Sequence, residues 1–136
     1  MSAGRSEAGV LDTNAVINLE RLSPDHLPLR PQITTVTLAE LSVGPLTARS
    51  EAPAVERQTH LQIAETDFDP LPFDAAAARA FGRVSASLRH AGRKAKARTF
   101  DAMIAAIALA NDLPVYTCNP DDFTGIDGLR VVAVPV

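Results

Sequence analysis

The sequence is poor in cysteine and in aromatic residues. It holds one cysteine, Cys118, no tryptophan, and 4% aromatic residues in total. One cysteine excludes an intrachain disulfide and a zinc site made of several thiolates. It also favours a reducing compartment, so we expect a cytoplasmic protein. The scarcity of aromatic residues argues against a surface that stacks a run of single-stranded bases.

Long apolar runs are also missing. The N-terminal stretch MSAGRSEAGVLDTN has no apolar run of signal-peptide length. No later stretch approaches the roughly 18 apolar residues that a membrane span needs. The chain has 136 residues, of which 46% are hydrophobic and 21% charged, as is typical of globular proteins. We therefore expect one domain over residues 1–136 that does not enter a membrane.

Acidic residues are absent from one internal segment. Between Asp74 and Asp101 there is no Asp or Glu, although the protein has 16 acidic residues and a formal net charge of -3. A solvated helix face is the ordinary explanation of a basic run. Because this run leads directly into the segment that carries Asp101, we favour contact with the phosphates of RNA. It holds seven of the 13 basic residues, namely Arg79, Arg83, Arg89, Arg93, Lys94, Lys96 and Arg98.

Short apolar runs alternate with helical patterns along the chain, which is typical of βα units and a mainly parallel sheet. Strands are predicted at residues 9–11, 32–34, 114–117 and 129–132. Residues 70–73 are at most an edge strand, because their prolines cannot donate to a ladder. Gly44 and Pro45 are expected to stop the second helix. The predicted helices are residues 13–20, 37–43, 50–65, 74–91 and 100–110.

Asp12 and Glu40 are the first two candidate site residues. Asp12 follows the apolar residues Val10 and Leu11, so it stands at the carboxyl end of the first strand, where open α/β sheets bind ligands. Taken alone, Asp12 is better explained as the cap of the helix that begins at Thr13. Glu40 is the only charged residue between Pro31 and Ala48. Thr37 and Glu40 fit a capping box, so both a cap and a site role stay open.

Asp101 and Asp122 are the other two candidates. Asp101 is the only charged residue of the otherwise apolar segment 100–110, which predicts a buried helix. A buried carboxylate without a partner costs several kcal/mol, more than the helix dipole returns, so Asp101 needs a partner, and a cation is the simplest one. Asp121 and Asp122 compete for the fourth place in the turn after a late strand. We prefer Asp122, because the adjacent Phe123 offers an anchor in the core.

Together these four carboxylates point to a metal. The carboxyl ends of parallel strands share one edge of a sheet, where all four side chains can point. Crowded carboxylates repel one another unless a hard cation neutralises them, and Mg²⁺ or Mn²⁺ takes oxygen ligands and keeps waters for a phosphate. The three histidines lie in polar contexts and are predicted at the surface. An acidic metal pocket beside a basic helix is the layout of a phosphodiesterase.

Four short motifs, in order, resemble those of the PIN-domain ribonucleases, specifically the VapC-type toxins of bacterial type II toxin–antitoxin pairs. The resemblance spans nearly the whole chain. Cys118 departs from the pattern, since a basic residue is common there, and the residues before Gly9 extend the usual start. The motifs are Val10-Leu-Asp12-Thr-Asn14, Thr37-Leu-Ala-Glu40-Leu, Phe100-Asp101-Ala-Met-Ile-Ala-Ala and Thr117-Cys-Asn119-Pro-Asp-Asp122-Phe123.

The resemblance implies a three-layer α/β/α sandwich around a mostly parallel sheet, and RNA cleavage that depends on Mg²⁺ or Mn²⁺. It implies an inhibitory VapB-like partner and is compatible with a homodimer. Asp12, Glu40, Asp101 and Asp122 match the family's acidic quartet, with one or two metal ions left open. A non-catalytic module that binds RNA or protein is the alternative. Thr13, Asn14, Thr117 and Asn119 are candidates for polar support of metal-bound waters or a phosphate, and each is equally suited to be an ordinary cap or turn residue.

Overall fold

The computed structural model describes residues 7–94 and 98–136. Its centre is a sheet of four strands, all parallel, in the order β2-β1-β3-β4. This arrangement confirms the predicted α/β class with a parallel sheet. The strands are β1 at Ala8–Leu11, β2 at Arg30–Gln32, β3 at Val115–Thr117 and β4 at Val131–Ala133.

Helices cover both faces of the sheet. Alternate residues of a strand point to opposite faces, and Val10 of β1 joins the core formed with α4 and α5, whereas Leu11 joins the core formed with α1 and α3. The second helix, α2, contacts both α3 and α5. The three-layer α/β/α prediction is thus confirmed. The helices are α1 at Thr13–Ile17, α2 at Thr35–Thr47, α3 at Glu51–Asp67, α4 at Ala75–His90 and α5 at Thr99–Ala110.

Helix α2 differs most from its prediction. It begins two residues before the predicted start and continues through Gly44 and Pro45, which were expected to stop it. Gly44 has no Cβ to clash with the proline ring, so the residue before Pro45 can stay helical. The capping-box interpretation of Thr37 and Glu40 does not hold, because the capping residue is Thr34, whose hydroxyl accepts a hydrogen bond from the Thr37 amide at 3.1 Å. Thr37 lies inside the helix.

Smaller differences concern other element ends. Helix α1 stops at Ile17 and a short 3-10 helix follows at Leu19–Arg21, so the predicted helix 13–20 is too long. Strand β2 precedes its predicted position. Of residues 70–73, only Leu71 pairs, through a single bridge to Thr34. The remaining helices lie within two residues of their predicted bounds.

Helix α5 is buried as predicted along most of its length, but its first turn is not. Six of its residues are buried, while Phe100 is 55% exposed. The first turn therefore reaches the surface beside Asp101. No helix within the described part of the chain is long and apolar enough to cross a membrane.

Candidate functional site

The four predicted carboxylates line one cavity of about 320 Å³. Asp12 follows β1 directly, and Glu40 comes from α2. Asp101 lies in the first turn of α5, and Asp122 lies in a 3-10 helix, Pro120–Phe123, just after β3. Four separate segments thus bring their carboxylates together at the carboxyl end of the central strands.

Asp12 is both a helix cap and a wall of the cavity. Its side chain is almost fully buried, with 2% of the residue exposed. One oxygen accepts a hydrogen bond from the Ala15 amide at 2.9 Å, and the other accepts one from the Thr117 hydroxyl at 2.6 Å. Burial raises the pKa of Asp12 above its ordinary value, and these hydrogen bonds partly oppose that rise.

Glu40 is held by a threonine. The Thr13 hydroxyl donates to the Glu40 carboxylate at 2.7 Å and lies 3.0 Å from the Thr37 hydroxyl. Burial raises the pKa of Glu40, and the negative charge of Asp12 adds to the rise, whereas the Thr13 hydrogen bond opposes it. Glu40 therefore faces the cavity from a fixed position on α2.

Asp101 shows the strongest electrostatic perturbation of the four. Burial raises its pKa to about 6, and the negative charges of Asp122, Asp12 and Glu40 act in the same direction. Arg98 lowers it, but no described residue forms an ion pair with Asp101. Asp101, for which a cation is the simplest expected partner, therefore has no ion-pair partner among the described residues.

The turn after β3 places the two competing aspartates in different environments. Asp122 lines the cavity, and its carboxylate accepts a hydrogen bond from the Arg98 guanidinium at 2.9 Å. The adjacent Phe123 is 2% exposed and anchors the turn in the core, as expected. Asp121 is exposed and does not line the cavity. The geometry therefore favours Asp122 as the fourth acid.

Three of the four polar support residues lie at the site. Thr13 and Asn14 line the cavity, and Thr117 is fully buried against Asp12. Asn119 is different, because its side chain is exposed and does not line the cavity. Its backbone amide donates to the Thr117 hydroxyl at 3.0 Å, which helps to orient that hydroxyl.

The predicted basic residues are only partly close to the cavity. Arg98 pairs with Asp122, and the Arg93 guanidinium donates to the Asp121 carbonyl at 3.0 Å. None of the basic residues that the structure describes in this segment lines the cavity itself. Lys96 lies outside the described residues. The others, all exposed, are Arg79, Arg83, Arg89 and Lys94.

Two residues that line the cavity were not predicted from the sequence. Arg57 and His60, both on α3, line the same wall of the cavity. His60 was predicted at the surface, but it is half-buried between this cavity and a neighbouring one. Their spacing places them on one helix face, yet nothing in the sequence says that this face turns toward the carboxylates. That proximity depends on how α3 packs against α2.

The donor set suits a hard divalent cation that keeps much of its water. Within residues 7–94 and 98–136, no three carboxylate, histidine or cysteine side chains are grouped as a ready-made metal site. Mg²⁺ is usually bound through one or two carboxylates plus waters, so such a cage is not required. Three carboxylates with raised pKa values around one cavity call for a compensating positive charge.

Comparison with known proteins identifies the family. Residues 9–129 match the PIN domain. Ribonuclease VapC5 of Mycobacterium tuberculosis is 39% identical over 93% of this chain and 93% of its own length. The crystal structure of VapBC-5, a member of the VapBC family of toxin–antitoxin systems from Mycobacterium tuberculosis, gives a TM-score of 0.81 at 39% identity, covering 96% of this chain and 99% of that chain. DNA-bound VapBC from Salmonella typhimurium gives a TM-score of 0.74 at 26% identity, covering 93% and 96%. The chain belongs to the PIN-domain family and, within it, to the VapC ribonucleases.

Proposed function

We propose that this protein is the toxin of a toxin–antitoxin pair and hydrolyses RNA phosphodiester bonds with Mg²⁺ or Mn²⁺ held by Asp12, Glu40, Asp101 and Asp122. The observation that carries the proposal is the convergence of these carboxylates on one cavity. The relatives named as VapC ribonucleases support RNA as the substrate. We place the reaction in the cytoplasm.

The hydrogen bonds of the cavity suggest a division of roles. Asp12 is fixed by Ala15 and Thr117, so it offers a stationary oxygen, and Asp101 is the acid without a described cation partner. We assign these two as direct ligands. Glu40 and Asp122, each engaged by a neighbour, would orient waters. A bound divalent cation supplies positive charge that polarises a phosphoryl oxygen and acidifies an attacking water.

The comparisons support regulation by a partner protein. Solved relatives from Mycobacterium tuberculosis and Salmonella typhimurium are VapBC proteins of toxin–antitoxin systems, which supports a VapB-like antitoxin as the partner of this chain. A homodimer remains a prediction. We infer that the antitoxin restrains the cavity in the complex, because a free ribonuclease would harm its own cell.

Paired substitutions test the acidic site. Asp101→Asn and Asp122→Asn should each lower RNA cleavage by at least about 100-fold, since each removes charge that a metal needs. Asp121→Asn, one residue away but outside the cavity, should leave cleavage unchanged. Cleavage of a labelled RNA pool with Mg²⁺, Mn²⁺ or EDTA measures this. Equal activity of Asp122→Asn and Asp121→Asn, or full activity in EDTA, would contradict the proposal.

A further inference from the structure

We propose that Arg57 and His60 form a phosphate-binding subsite for RNA on the α3 wall of the cavity. The inference rests on the proposed ribonuclease function and extends it to how the substrate is held. These are the only basic residues among the described ones that line the cavity of the four carboxylates. The subsite would take a phosphate next to the scissile one.

The position of Arg57 is set by close packing of α3 on α2. Its guanidinium donates to the Gly44 carbonyl at 3.0 Å. A Cβ on Gly44 would lie 3.3 Å from the Cβ and Cδ of Arg57, so the glycine allows the arginine stem to approach. A guanidinium has five N–H donors, and this bond uses one of them. The others are left for a ligand.

Arg57 lines the same cavity as the four carboxylates, but the described ion pairs do not include it. Arg98, in contrast, is paired with Asp122. Four carboxylates repel an RNA backbone, and positive charge beside them is needed for the polymer to approach. Arg57 is exposed, so its free donors can reach a phosphate of a bound strand.

His60 marks the limit of the subsite. It stands three residues after Arg57 on the same helix face, and a ring N–H donor is present in either protonation state. It also borders a neighbouring cavity of about 380 Å³ whose lining includes Glu20, Glu56 and Asp67. Those acids disfavour a polyanion, so the strand is expected to end its contact at His60.

The subsite would complete a path across the cavity. The basic residues on α4, and Arg98, belong to the layer formed by α4 and α5, whereas Arg57 and His60 belong to α3 on the opposite layer. A strand with its scissile phosphate at the carboxylates would therefore meet Arg98 from one layer and Arg57 from the other. Contacts away from the reacting phosphate act mainly on binding.

The test compares Arg57→Gln with Arg49→Gln, which removes the same charge from an exposed residue outside the cavity. Arg57→Gln should raise KM for RNA about tenfold with little change in kcat. It should also reduce the slope of log affinity against log salt by about 0.7, measured by anisotropy with a short single-stranded RNA in an Asp101→Asn background. Arg57→Lys should restore the slope, and His60→Gln should raise KM by a smaller factor.

The outcomes separate this inference from the proposed function. If wild-type protein cleaves RNA and Arg57→Gln matches Arg49→Gln in KM and salt slope, only the subsite is refuted. If Arg57→Gln and Arg57→Lys lose affinity equally and both unfold at lower temperature, Arg57 is a brace between α2 and α3 and the inference is wrong. If no RNA is cleaved by the wild type, the function fails, while the binding measurement still decides the subsite.

Discussion

The carboxylates of the cavity differ in how they are restrained. Asp12 and Glu40 receive hydrogen bonds from Thr117 and Thr13, which favour their charged forms. Asp101 has no such bond among the described contacts, and its pKa rises to about 6. Burial, with the neighbouring negative charges of Asp122, Asp12 and Glu40 added to it, therefore disfavours the charged form of Asp101 more than that of the other three acids.

The raised pKa of Asp101 predicts a pH dependence of stability. The ordinary pKa of Asp is 3.8 and that of folded Asp101 about 6, so between these values the folded state binds more protons than the unfolded state. The free energy of unfolding should then fall as pH rises from about 4 to 6. Asp101→Asn should reduce that fall and raise stability at pH 7.5 by about 1 kcal/mol, allowing for solvent screening.

Urea denaturation in EDTA at pH 4.5, 6 and 7.5 measures the effect, with Asp121→Asn as the matched exposed control. In Asp101→Asn the free energy of unfolding should still fall somewhat as pH rises, because the pKa values of Asp12 and Glu40 are also raised. If the free energy of unfolding of Asp101→Asn depends on pH as in the wild type, the prediction is wrong, and Asp101 is not buried enough in solution to raise its pKa.

Among the elements, helix α2 sets the position of Glu40. Its cap, Thr34, is fully buried and bridges to Leu71, while the amide of Thr35 donates to the Leu71 carbonyl at 2.9 Å. These contacts from a distant segment fix the first turn of the helix. Three threonines near this point can each act as a cap, so the sequence alone could not tell which one does.

The cap can be tested by two substitutions of Thr34. Thr34→Ala should lower the free energy of unfolding by about 1 to 2 kcal/mol, since the Thr37 amide loses its acceptor. Thr34→Ser keeps the hydroxyl and should recover most of that loss. Thr47→Ala, at the exposed end of α2, should change stability by less than about 0.5 kcal/mol. Equal stability of Thr34→Ala and Thr34→Ser would rule out the cap.

Predictability from sequence followed the strength of local patterns. Helices α4 and α5 were predicted closely, because an amphipathic stripe and an apolar run each leave one packing solution. The carboxylates were found because they follow strand ends or stand alone in apolar segments. Arg57 and His60 were missed, since their place at the cavity comes from α3 packing on α2, which no local pattern records.

At the scale of the whole molecule, the acidic cavity and the basic residues of α4 lie on different parts of the surface. Four acids line the cavity, and Glu56 and Asp67 of α3 border the neighbouring pocket. The arginines of α4 lie exposed on the opposite layer. The described ion pairs leave Arg79, Arg83 and Arg89 without a carboxylate partner, so their charge is available to a polyanion.

Substitution of the α4 arginines can distinguish a face that positions RNA from an ordinary solvated face. Arg83→Gln with Arg89→Gln should lower affinity for single-stranded RNA similarly for different sequences, because interactions with phosphates carry no sequence information. The salt slope should fall by about 0.7 for each phosphate that the variant no longer neutralises. Arg21→Gln with Arg49→Gln removes equal charge elsewhere and should change the slope less.

Stability should barely move in either pair, since exposed charges contribute little. Equal slopes in both double variants would assign the α4 face to solvent, and the substrate path would then depend on Arg98 and the α3 wall.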